Sequence, residues 1–486
     1  MYAQYNIIGV KHHKLLLMAC AGVALTTVCT PAAFAADWVF GPYVGITEQY
    51  TDNAFSTAEN TKDDLITSLN TGFTLNGEGN RVQLASEYDL SYDIYAKNSE
   101  LNGFRHNLLA SGDAELVSEH LFIQSQIAFT EETLSRSGST TFVDRTVSSD
   151  RTRVLNTRIS PYYIQDFGGN ATGLAQYTYS RVDFFETDVG SSTDDPSNSQ
   201  THEVNLSLGS GRDFNRTTWL LELLGVDSEV EGGDDLQRGT FLASGQMPIN
   251  KFVALLGTAG WDEFNGENID NQSISGYFVG GGVRLTPGPR TDFSIQFGHR
   301  YGRGIADMDL TYLISSEAAF TASYTVDIAT AGQSLANTDV LDRDGDLVNP
   351  NFTSTGYVDA ITKAKTLSTG LRGTKGRNTY SATASYVQRD FLSDGTNDEV
   401  VAVDGSYSRQ LSSQLEMSLL AGYSEVLDAE VDGTRDTAVY GQAALNYQFN
   451  ESLSGSLTYG YFDRDSETDT DDLRENNVSV SLRKTF

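Results

Sequence analysis

Thiols, prolines and basic side chains are scarce in this 486-residue chain, and each shortage closes off a class of function. The two cysteines, Cys20 and Cys29, both fall in an N-terminal segment that reads as a removable leader. Beyond it no thiol remains for a disulfide, a zinc site or a covalent nucleophile. Lys and Arg number 33 against 65 Asp and Glu, a formal charge of -32, which argues against binding a phosphate backbone or an anionic membrane surface. Nucleic acid is therefore not an expected partner. Eight prolines beside 45 glycines exclude a collagen-like repeat. After residue 36 no apolar run approaches the roughly 18 residues that a spanning helix needs. If this chain lives in a membrane, it crosses as strands.

What is present begins with that leader. The first 36 residues carry no acid, and Lys11, His12, His13 and Lys14 precede an apolar run from Leu15 to Val28. Ala33 and Ala35 flank Phe34 in the small-x-small pattern of a secretory cleavage site, placing the cut after Ala35, with Ala36 as the alternative. The expected division is a signal peptide over 1–35 and one domain over 36–486.

That domain alternates. From Arg81 to Ile94 one parity reads Val82, Leu84, Ser86, Tyr88, Leu90, Tyr92, Ile94 and the other Arg81, Gln83, Ala85, Glu87, Asp89, Ser91, Asp93. A period of two over this length is a strand with unlike solvents on its two faces. The pattern recurs from a first strand near 38–50 to a last near 476–486, about 22 strands within a range of 16 to 24. Their connections fall into two kinds. Some are tight, such as FGGN at 167–170 and TPGPR at 286–290; others are long, acidic and rich in Ser, Thr, Asn and Gly, such as 131–149, 185–200 and 328–359. Tight turns at one end and long loops at the other predict an all-β fold: a single transmembrane antiparallel up-and-down β-barrel without a plug domain. Closure follows from the bilayer, which offers no water to an unpaired strand edge.

Parity then assigns faces. Tyr88, Tyr92, Tyr301, Tyr447 and Tyr461 are expected outside as interfacial aromatics, and His106 and His299 as packing beside them. The last strand places Val478, Val480, Leu482 and Phe486 outward as a terminal insertion signal, with Lys484 snorkelling at a place usually apolar. The opposite parity lines a wet lumen with Glu87, Asp89, Asp93, Arg105, Asp113, Glu115, Gln296, Arg300 and Arg389, joined by Ser381, Thr383 and Ser385. So many charges are incompatible with a dry core. Acids facing Arg105 and Arg300 would set a transverse field across the lumen, or merely tie neighbouring strands. The 328–359 loop, or a partner, is expected to narrow so wide an opening.

Other motifs carry less. Asp342, Asp344 and Asp346 with Gly345 resemble the start of a calcium loop, but Leu347 and Thr353 stand where Gly and a bidentate Glu belong. Only His106, His120, His202 and His299 follow the leader, scattered and without metal-ligand spacing. FVGGGVR at 278–284 has no following helix and reads as a strand relieved of bulk. No catalytic constellation can be assembled, so neither an enzyme nor a cofactor is expected.

The stretch GPYVGITEQYTDNAF from Gly41 to Phe55, followed by YDLSYDIYAKNSELNGFRHNLLASGDAEL, resembles the beta-barrel porin 2 family. It is closest to the branch associated with exopolysaccharide and PEP-CTERM systems. Pro42, Tyr50, Asp52, Asn53, Tyr88, Tyr92, Tyr95, His106 and Leu116 carry the resemblance. It implies a plug-free barrel in the outer membrane of a Gram-negative cell, with both termini periplasmic, acting as a conduit for exopolysaccharide export. It also implies contact with lipid and lipopolysaccharide, with the barrel-assembly machinery, and with periplasmic polysaccharide-export components. A general porin for small hydrophilic solutes, or an adhesin or scaffold, is the alternative.

Overall fold

The computed structural model describes residues 37–133, 151–185, 196–214, 216–266, 269, 274–340, 357–393, 395–429, 435–467 and 472–486. Twenty-two antiparallel strands follow one another around a single sheet. They are β1 (Asp37–Thr51), β2 (Asp64–Glu78), β3 (Val82–Tyr95), β4 (Gly103–Val117), β5 (Leu121–Thr133), β6 (Arg151–Asp166), β7 (Ala171–Phe185), β8 (Ser199–Ser210), β9 (Thr218–Val230), β10 (Leu236–Pro248) and β11 (Val253–Gly266). The second half continues with β12 (Gly276–Gly288), β13 (Thr291–Arg300), β14 (Arg303–Leu313), β15 (Ala318–Thr330), β16 (Ile361–Lys375), β17 (Asn378–Phe391), β18 (Asn397–Gln410), β19 (Leu415–Ala429), β20 (Asp436–Asn450), β21 (Leu453–Ser466) and β22 (Leu473–Thr485). β1 pairs β22 from Tyr43↔Thr485 to Thr51↔Asn477, so the sheet closes and leaves no edge. No helix is long and apolar enough to cross a membrane.

The strand count and the alternation of connections agree with the sequence reading. Turns at 79–81, 289–290, 376–377 and 451–452 lie at the rim that also holds Asp37 and Thr485, while 52–63 and 331–360 join strands at the other. Several strands run further toward the long-loop rim than alternation alone indicates. β21 reaches Ser466, and β14 begins at Arg303 rather than near 306 because β13 and β14 meet in a two-residue hairpin.

The outer face is apolar in a band. Aliphatic side chains such as Ile46, Leu69, Leu206, Leu223, Leu457 and Val480 project outward with 41% to 52% of their surface exposed. Aromatics bracket the band: Phe40, Phe167, Phe252 and Phe449 toward the short turns, and Tyr50, Phe104, Trp261 and Tyr277 toward the long loops. That is the profile of a wall facing acyl chains between two interfaces. Tyr88, Tyr92, Tyr447 and Tyr461 share this face, Tyr88 bonded to His106 at 2.9 Å.

Tyr301 does not, which corrects the sequence reading. It occupies the β13–β14 hairpin with φ +55°, followed by Gly302 at +69°. Two successive positive φ values make a turn whose twist suits a tight hairpin. They also reset the parity, swinging the ring inward to 5% exposure against Phe264, with centroids 5.8 Å apart. Burial pushes its phenol up to about 12.

Part of the glycine content has a packing cause. Gly72 lies directly across from Tyr43, Gly260 from Phe278 and Gly422 from Tyr440, and in each pair a Cβ on the glycine would collide with the ring. The rings lie flat along the inner wall because their partners have no side chain.

Candidate functional site: the inner wall and the segment that crosses it

The inner face is built from the residues of opposite parity to the apolar band. Along β3 and β4 it carries charge in sequence. Glu87 lies 3.7 Å from Arg483; Asp89 accepts from the Tyr43 hydroxyl at 2.8 Å; Asp93 accepts from Ser68 at 2.5 Å and pairs with Arg105 at 2.8 Å. Arg105 also reaches Glu131 at 3.2 Å, while Glu115 sits 3.6 Å from Arg81 near the short turns. Asp113, on the same face, pairs in register with Gln124. Across the barrel, Arg300 forks onto Asp262 at 2.6 and 2.9 Å, and Arg389 onto Asp398 at 3.0 and 2.6 Å. Gln296, on β13 four residues before Arg300, has a buried side-chain oxygen that finds no partner among the described residues. Asp93, Asp262 and Asp398 are almost fully buried, at 1%, 1% and 0% exposure. The strongest charges are thus consumed pairwise by the wall itself.

Mid-wall from β16 to β22, away from the Arg389–Asp398 pair, the same face changes character. Ser368, Ser381, Thr383, Ser385, Ser406 and Ser481 point inward, and hydroxyls pair across strands: Ser323 with Ser368 at 2.8 Å, Ser381 with Ser406 and Ser456 with Ser481 at 2.7 Å. Ser381 and Thr383 remain exposed on this face.

The feature that alternation misses is a segment crossing the interior. After β15 the chain forms a short helix, α1 (Ala331–Ala336), capped by the Thr330 hydroxyl accepting from the Gln333 amide at 3.1 Å. Gly332 seats α1 so close to Ser199 of β8 that a Cβ there would clash. Leu335 and Ala336 pack on Val154 and Val182 of β6 and β7, and Asn156 donates to the Leu335 carbonyl at 2.9 Å, alongside the Thr338 amide at 3.2 Å. Val340 then buries against Leu109 and Ala128 of β4 and β5. The segment therefore leaves β15 and lies along strands seven to eleven places away, which only a path through the lumen allows. At its base the mouth is pinched: Thr330 meets Ser228 at 3.1 Å, Arg238 meets Asp327 at 3.2 Å, and Leu236, Phe264, Tyr301, Ile328 and Ile361 form one apolar cluster over the short β13–β14 hairpin. The amphipathic TASYTVDIATAGQSLANTDV stretch was the sequence signal, but it reads equally as the end of a strand and a loop.

Val478, Val480, Leu482 and Phe486 face outward at 41% to 69% exposure, with Lys484 5.2 Å above the Phe486 ring. Ala35 and the Asp342, Asp344 and Asp346 set lie outside the described residues. Among the described residues no group of three His, Cys, Asp or Glu is placed to hold a metal.

No family model matches the chain, and no curated protein matches it. Solved structures do. It is similar to the siderophore receptor PirA from Acinetobacter baumannii, with TM-score 0.52 and 8% identity over 92% of this chain and 80% of that one. It is likewise similar to the FrpB iron transporter from Neisseria meningitidis, F3-3 variant, with TM-score 0.52 and 11% identity over 94% and 83%. At such identities the likeness is one of fold, and the fold is an outer-membrane-type β-barrel.

Proposed function

We propose that this protein is a non-enzymatic outer-membrane pore whose permeant is an exopolysaccharide. The observation that carries the reading is the contrast across one wall: an apolar outer band backed, mid-wall from β16 to β22, by an inner face rich in hydroxyls, with Ser381 and Thr383 open to solvent. A mid-wall stretch rich in hydroxyls suits a long neutral polyol, because each such contact replaces one weak hydrogen bond to water by another and none holds the chain fast. The resemblance of Gly41–Phe55 and the stretch after it to exopolysaccharide-associated porins supports the same permeant. In this reading the short-turn rim and both ends face the periplasm, where export components would dock. The 331–340 segment takes the place of a separate plug, and lipopolysaccharide surrounds the long-loop rim.

The pinch between Ser228 and Thr330 favours a second reading, a porin for small hydrophilic solutes. Liposome swelling and planar-bilayer recording of the purified protein test what the two share; the expected result is ohmic conductance, and none at any voltage overturns both. Deleting the gene separates them. Polymer trapped in the periplasm is expected for export, and normal secretion overturns it.

A further inference from the structure

Beneath the crossing segment, against β4 to β8, lies a cavity of about 490 Å³, within the size range of small-molecule sites. We propose that it is a binding site for a short run of a neutral hexose chain; the inference rests on the pore reading above and deepens it by naming where the polymer is held.

The chemistry of the lining carries the assignment. Gln124 and Gln176 present carboxamides into the cavity, and among the described residues neither has a side-chain hydrogen bond. Each offers two donors and an acceptor, a match for adjacent sugar hydroxyls that both donate and accept. Asp113 and Glu203 add acceptors from the wall, and Asn337 and Asp339 add polar groups from above. Arg158 is the one cation among the lining residues, and its Nη2 already donates to Gln126 at 3.0 Å and to Asp339 at 2.8 Å. Three carboxylates against that one guanidinium leave the lining net negative, which disfavours an anionic ligand. One step toward the short turns on the same face, Phe122 and Tyr162 stack on each other with centroids 5.0 Å apart and planes 13° apart, an apolar margin beside the cavity. Two elements build the site: the β-wall supplies its floor and the lumen segment its roof, which the Arg158–Asp339 pair ties down.

Calorimetry on the detergent-solubilised full-length protein tests this, with cellohexaose and maltohexaose as neutral probes and a galacturonate hexamer as the anionic one. Saturable binding of at least one neutral hexamer is expected, with the galacturonate about tenfold weaker or worse at low salt. Gln124→Leu and Gln176→Leu should each weaken binding by about three- to tenfold, whereas Glu451→Gln, in the exposed β20–β21 turn, should leave it unchanged. Folding of each variant is checked by heat-modifiable gel mobility. No binding of either neutral hexamer by folded protein, undiminished binding by both Gln variants, or a preference for galacturonate overturns the site. Bilayer conductance judges the pore separately. A conducting protein that binds no hexamer loses the site and keeps the pore; a binding protein that never conducts does the reverse.

Discussion

Two arcs of one barrel wall solve the same problem differently. Between β3 and β14 the inner face is stitched by ion pairs, Asp93 with Arg105, Arg284 with Asp292 and Asp262 with Arg300, and the crossing segment leans on this side. Mid-wall from β15 to β22 it is stitched by serine pairs and left open, an ion pair recurring nearer the long-loop rim where Arg389 meets Asp398. A desolvated charge repays its burial only when its partner is exact, so the first arc is rigid and suits a surface that must hold a folded segment. A hydroxyl loses little when water replaces its neighbour, so the second arc suits a moving solute. Position in the wall, more than hydrophobicity, separates scaffold from passage.

The sharpest way to break this comparison is to unpair the first arc. Arg300→Met leaves the Asp262 carboxylate buried with only the Thr240 hydroxyl, 2.7 Å away, to satisfy it. The expected loss is about 3 kcal/mol in urea unfolding from lipid vesicles. Adding Asp262→Leu should recover much of it, since the cost lies in the orphaned charge rather than in the missing attraction. A single variant no weaker than the double one would mean the pair is wetted and the arcs are alike.

The next effect compares inside with outside. Leu223, 52% exposed and paired in register with Leu206 and Phe241, belongs to the apolar band. Leu223→Arg should cost about 2 to 4 kcal/mol in the same vesicle assay if it meets acyl chains. Thr383→Arg, on the open hydroxyl arc, should be nearly silent in stability and instead lower conductance. Equal damage from both would show that the faces are assigned wrongly.

Much of this architecture was legible because water and lipid impose opposite demands on neighbouring residues, and a strand records both in alternate positions. Leu84 and Ile94 outward, Glu87 and Asp93 inward, could be read without knowing any partner. Tyr301 was misread for a reason internal to the same logic: parity counts only while the backbone stays extended, and two positive φ angles in the hairpin interrupt the count. The 328–359 loop was expected to narrow the opening, and 331–340 does cross it, but the path of that segment was beyond reach for another reason. Its placement is decided by contacts between residues far apart in the chain, Thr330 with Ser228 and Leu335 with Val154, and no local period encodes them. The cavity under it was invisible for the same cause, although Asp113 was singled out as a wall residue. Alternation marked one wall of the site, and its roof was legible only as a loop expected to narrow the lumen.

The smallest expected effect tests the second arc on its own terms. Ser381 and Ser406 face each other across β17 and β18, their hydroxyls 2.7 Å apart on the lumen side. If that arc is a passage, the pair is a convenience of the wall, since either hydroxyl deprived of the other turns to water at little loss. Ser381→Ala should then cost under about 1 kcal/mol, the scale of one cross-strand pair, and leave single-channel conductance unchanged. A cost like that of Arg300→Met would mean that the serine pairs are structural rivets shielded from solvent, and the contrast between the arcs would reduce to a difference in the atoms used to close the same seam.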